Sequence, residues 1–158
     1  GRTEFPHVHI AVRKDGQKVD PFAPDANLWA PMLQDALAYQ PTQIINLGFA
    51  DGAIKMDDIA VGKFENFTPH KTAPALVAYV RVINMAMGDQ IRLTMTGPNG
   101  QIITKTFDPV NNGKAQQMYF TGKKRPTGGW PMGAYQAWAE VLRGGVVVDG
   151  EEHIKRSQ

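Results

Sequence analysis

Residues 89–107 read DQIRLTMTGPNGQIITKTF, and this stretch decides the fold. Ile91, Leu93 and Met95 alternate with Arg92 and Thr94, the period of a strand with one buried face. Pro98-Asn99-Gly100 breaks the run with turn residues, and the chain then returns as a second strand. The same grammar repeats on both sides. ALVAYVRVIN (75–84), TQIINLGFA (42–50, ended by Asp51-Gly52) and AQQMYFTG (115–122) read as strands. GAYQAWAEVLRGGVVVDGEEHI (133–154) reads as a last hairpin around Gly144-Gly145. IKMDDIAVGKF (54–64) is irregular enough to hold a helical turn. Strands at regular spacing with 16 Gly and 11 Pro between them predict an antiparallel β-sandwich over residues 42–158. Its last strands, from WPMGAY onward, resemble those of bacterial immunoglobulin-like domains.

Composition narrows the class. The chain has 158 residues, 42% of them hydrophobic and 20% charged, which describes a globular chain long enough to bury a core. Seventeen basic and 15 acidic residues leave a net charge of +2, too even to argue for nucleic acid. Cysteine is absent, so disulfides and thiolate metal sites are excluded. No apolar run reaches the roughly 18 residues of a membrane span.

The N-terminal part is different. EFPHVHIAVRKDGQKVDPF (4–22) places His7 and His9 one residue apart on a strand. Both project from one face, while Val8, Ile10 and Val12 are expected to pack on the other. Asp15-Gly16 supplies a hairpin turn and Val19-Asp20-Pro21 ends the return strand. NLWAPMLQDALAY (27–39) reads as a short helix, with Asn27 as its cap and a modest stripe of Leu33, Ala36 and Leu37. Spacing alone leaves the histidines as either two polar groups on a strand surface or a converging pair able to touch a metal and its water.

In order and spacing, PHVHIAVRKDGQKVDPF resembles the C-terminal motif of the lysostaphin/LytM-type zinc metallopeptidases, which cut peptide bridges of bacterial peptidoglycan. The resemblance covers about residues 5–22. It implies that His9 is a zinc ligand and that His7 is the catalytic histidine beside it. The family draws two further ligands from a His-x-x-x-Asp motif well upstream, which this chain does not contain; neither His70 nor His153 begins one. The expectation is therefore a C-terminal piece of a longer cell-wall peptidase. Residues 1–22 would be the last hairpin of the peptidase domain, 23–41 a helical connector and 42–158 an accessory sandwich. Zinc belongs to the longer parent, and this chain alone is expected to bind it weakly and to be inactive. The resemblance implies a periplasmic or secreted protein partnered with peptidoglycan or an envelope protein. The alternatives are a non-catalytic scaffold or activator, and a wall- or carbohydrate-binding module.

Three further features are candidates. Trp130, Tyr135 and Trp138 either form an aromatic platform for sugar, or Tyr135 and one of the two Trp fill the sandwich core. Lys123, Lys124 and Arg125 form a basic loop, TGKKRPTGG, that either meets an anionic wall polymer or is simply solvated. Asp57-Asp58 is either a carboxylate pair or a solvated turn.

Overall fold

The computed structural model describes residues 10–23, 28–34, 36, 37, 39 and 41–157. The chain divides into two compact units, residues 1–40 and 41–158.

In the first unit, β1 (Val12–Lys14) pairs antiparallel with β2 (Gln17–Val19), with Lys14 opposite Gln17. Asp15 and Gly16 both have positive φ, +51° and +78°. Two left-handed residues in succession make the tight hairpin turn, and Asp-Gly tolerates it at low steric cost. Asp20 accepts hydrogen bonds from the Tyr39 hydroxyl and from the Phe22 amide. Those two bonds, the Tyr39 bond foremost, hold its carboxyl below the usual range. Trp29 donates its indole N–H to the Pro21 carbonyl at 2.6 Å and stacks on Phe22. The expected helix is short: α1 spans Pro31–Gln34. Pro31 stands at its first position, where the missing N–H costs nothing. Met32 is 86% exposed and Leu33 44%, so the stripe buries too little surface to extend it. Asn27 lies outside the described residues. Of the face expected to pack at Val8, Ile10 and Val12, Ile10 is 54% exposed and Val12 half-buried, and Val8 lies outside the described residues.

The second unit is an antiparallel sandwich. Its elements are β3 (Gln43–Ala50), α2 (Met56–Ala60), β4 (Ala75–Met85), β5 (Gln90–Gly97), β6 (Gly100–Thr106), β7 (Lys114–Lys124), β8 (Ala134–Arg143) and β9 (Val146–Arg156). One sheet has the order β3-β4-β7 and the other β6-β5-β8-β9. Lettered from the first strand of the sandwich, these are ABE and C′CFG, the crossed strand order of an immunoglobulin-like sandwich. Alternation sets the faces. Leu76, Ala78, Val80 and Val82 from one sheet meet Ile91, Leu93, Met95, Ala137, Ala139 and Val141 from the other, all fully buried. Each large side chain among them contributes about 1.5–3 kcal/mol by leaving water. A smaller cluster lies on the outer face of the three-stranded sheet, where Ile54 and Ile59 of the α2 segment cover Tyr79.

Tyr135, near the start of β8, is fully buried and donates its hydroxyl to the Pro131 carbonyl at 2.6 Å. This is the tyrosine corner of immunoglobulin-like folds. The opposite end of the sandwich is held by charge. Asp89 is fully buried and takes two bonds from Arg143, at 2.7 and 2.9 Å, and one from the Ala86 amide at 2.9 Å. The Thr42 hydroxyl lies 3.0 Å from Asp89 and accepts from Arg143 at 2.8 Å. The chain enters the sandwich at this end, through Thr42, and leaves at the other, where the Ser157 amide donates to the Gly133 carbonyl. Among the described residues no helix is long and apolar enough to cross a membrane.

Candidate functional sites

His7 and His9 lie outside the described residues. The hairpin that follows them, with its turn at Asp15-Gly16, is in place. Among the described residues no three His, Asp or Glu side chains come together as a metal-holding group. His70 is exposed in a loop, its Nδ1 3.2 Å from the Thr72 hydroxyl. His153 is not a solvated terminal residue. It stands within β9, half-buried beside the Phe49 ring, and burial pushes its pKa down.

The three aromatic candidates separate. Trp130 is 5% exposed, donates its indole N–H to the Ala73 carbonyl at 3.0 Å, and meets Tyr135 edge-on. Both are interior, so no three-ring platform forms. Trp138 alone is at the surface, 41% exposed on the outer face of the four-stranded sheet. The register places it between Thr94 and Glu152. Arg92 and Glu140 form a two-bond ion pair at 2.6 and 2.7 Å on the same face, and Gln136 donates to Glu152. The Arg92 guanidinium, aided by the Trp138 side chain, holds the Glu140 carboxyl below its ordinary value. The result is one indole set in a row of positioned hydroxyl, amide and carboxylate groups. Strand alternation carried the signal that Tyr135 and Trp138 face opposite ways; Trp130 precedes the strand, where alternation says nothing.

The basic loop is fixed from below. Lys123 and Lys124 end β7, Arg125 follows it, and all three are exposed. The Arg125 amide donates to the Pro74 carbonyl at 2.9 Å, and its guanidinium donates to the Thr72 carbonyl at 2.9 Å. The Trp130 amide donates to the Lys71 carbonyl at 3.0 Å. Gly129 has φ +85°, and a Cβ there would meet that carbonyl oxygen at 2.6 Å, so only glycine lets the two segments close up. A cleft of about 460 Å³ lies between them, lined by Lys71, Thr72, Arg125 and the Pro126–Gly129 turn. A second cleft, of about 440 Å³, runs beside it and is lined by Lys105, Phe120, Lys123 and Lys124 over a floor of Ala53, Ala75 and Val77. Sequence reading found the run of three cations but not Lys71 or Lys105, which are distant in the chain. Asp57 and Asp58 do not form a carboxylate pair; they sit in the first turn of α2, and Asp58 is bound by Lys63 at 2.9 Å.

The fold defines a mainly β protein with an immunoglobulin-like sandwich. No family model matches the chain, and no curated protein matches it. Solved structures similar to it include Bifidobacterium dentium β-glucuronidase complexed with coumarin-3-O-glucuronide (16% identity, TM-score 0.41). Others are a putative β-galactosidase from Bacteroides fragilis (14%, 0.44) and Pseudomonas fluorescens alkylpurine DNA glycosylase AlkC bound to DNA containing an abasic site analog (12%, 0.37). These matches cover 74%, 72% and 80% of this chain but 17%, 17% and 33% of those proteins, so it spans a third of their length or less.

Proposed function

We propose that the chain is the C-terminal part of a bacterial cell-wall metallopeptidase of the lysostaphin/LytM type, followed by an immunoglobulin-like accessory module. The observation that carries this is the ordered motif from Pro6 to Pro21, supported by the β1–β2 hairpin, whose turn falls at the motif's Asp15-Gly16. The protein would then work in the periplasm or outside the cell, on peptidoglycan. This chain does not by itself fit a zinc centre: His9 would be one ligand with His7 beside it, and a catalytic site needs three protein ligands. In the longer protein, zinc would supply an activated water and a Lewis acid. The test is peptidoglycan hydrolysis by the longer protein, with bound zinc measured on the same samples. His9→Ala is expected to lower both. His7→Ala is expected to keep the zinc and lose activity by about 10²–10⁴-fold. Unchanged hydrolysis in both variants would sink the proposal.

A carbohydrate-binding module is the second function, and Trp138 is the observation that favours it. An exposed indole flanked by fixed polar groups suits the apolar face and hydroxyl rim of a pyranose. Trp138→Ala should then abolish retention of residues 41–158 on purified sacculi; retention equal to the parent's would remove this function.

A further inference from the structure

We propose that the cation-lined end of the sandwich binds a carboxylate-bearing glycan polymer. The proposal rests on residues 41–158 and stands whether or not residues 1–22 belong to a peptidase. Lys71 and Arg125 line one cleft, Lys105, Lys123 and Lys124 the other, and among the described residues no carboxylate lines either. Lys123 and Lys124 end β7 with side chains on opposite faces of the strand and both line the second cleft, while Arg125, the next residue, lines the first, so that cations border both clefts. The ion pairs among the described residues are Lys63–Asp58, Arg92–Glu140 and Arg143–Asp89, none of which draws on these five cations. Among the described residues none of the five meets a carboxylate in an ion pair; the Lys105 ammonium rests over the Phe107 ring at 4.6 Å, and the Arg125 guanidinium donates to the Thr72 carbonyl. The first cleft is also preorganised, because main-chain bonds tie residues 125–130 to residues 71–74. Binding therefore costs little ordering of the backbone.

The chemistry of the lining selects among anions. Phe120 is 48% exposed above the apolar floor of the second cleft. A pyranose can lay its C–H face on that ring while its carboxylate meets an ammonium. Single-stranded nucleic acid needs a succession of stacking rings, and among the described residues Phe120 is the one aromatic lining either cleft. Lysines bind carboxylates and phosphates alike as point charges, so the choice of a glycan carboxylate rests on Phe120, on which a sugar ring can lie.

The test titrates the whole chain with polygalacturonate, neutral dextran, polyphosphate and single-stranded DNA at low and moderate salt. Polygalacturonate is expected to bind in a salt-dependent manner, and dextran not to bind. Lys123→Gln/Lys124→Gln should weaken polygalacturonate by roughly tenfold, since each exposed cation adds attraction that salt screens. Lys14→Gln/Lys18→Gln, with the same change in net charge, should leave it unaltered. Phe120→Ala should weaken polygalacturonate several-fold and leave polyphosphate unaffected. Unchanged melting temperatures establish that the variants are folded. Equal losses in the two lysine pairs, equal binding of dextran, or tighter binding of DNA would each overturn the proposal.

Discussion

The two ends of the sandwich handle charge in opposite ways. At the end where β4 stops, Asp89 is buried and every partner it needs is present: Arg143, the Ala86 amide and Thr42. At the end where β4 starts, Lys71, Lys123, Lys124 and Arg125 are exposed, and among the described residues no carboxylate lines their clefts. A charge that is buried and fully bonded fixes the structure, and removing one partner strands the other. An exposed charge without a counterion does little for stability and remains available to a ligand. The same fold therefore carries an anchor and a docking surface, about one strand length apart.

The sharpest way to break this contrast is Asp89→Ala. It should cost about 2–3 kcal/mol in urea unfolding, because the Ala86 amide loses its acceptor and the half-exposed Arg143 its partner. A loss below about 1 kcal/mol would mean the network is dispensable. Next is Tyr135→Phe, which leaves the Pro131 carbonyl without its donor and should cost about 1–2 kcal/mol by the same measurement. A pH series comes third. The Arg143 guanidinium, with the Ala86 amide and Thr42, holds the Asp89 carboxyl below its ordinary value. Its contribution is then fully present above the unfolded value of about 3.9 and is lost as pH falls through the lower folded value. Stability of the parent should fall with acid below about pH 4, and Asp89→Asn should flatten that part of the curve. The smallest effect belongs to the other end. Lys123→Gln/Lys124→Gln should change stability by no more than about 0.5 kcal/mol. A larger loss would make those lysines structural and erase the contrast.

Much of this architecture could be read from the chain before any coordinates, because the deciding signals are local. Period-2 runs and the Pro98-Asn99-Gly100 and Gly144-Gly145 turns sit next to the strands they define, and all of these strands form. The connector helix was overread, since Leu33 and Leu37 gave the right spacing but no surface to bury against. The Asp89 network was invisible, because Arg143 lies 54 residues away and Thr42 47. In sequence, Asp89 reads as a turn residue before a strand. The cationic clefts were half visible for the same reason: Lys123–Arg125 is contiguous, whereas Lys71 and Lys105 arrive through pairing. The histidine motif depends on a resemblance over a few residues, and His7 and His9 themselves lie outside the described structure.

The chain enters the sandwich at the Asp89 end and exits at the Gly133 end, which has a mechanical consequence. A pull applied through the two termini of this unit runs along the strands. The cross-strand bonds of β3 to β4 and of β8 to β9 lie perpendicular to that pull, so they are sheared together instead of being unzipped one at a time. With strands of up to 11 residues, the unit is about 35 Å long in the direction of its strands. Single-molecule stretching should therefore show one abrupt high-force rupture in place of a staircase of small ones.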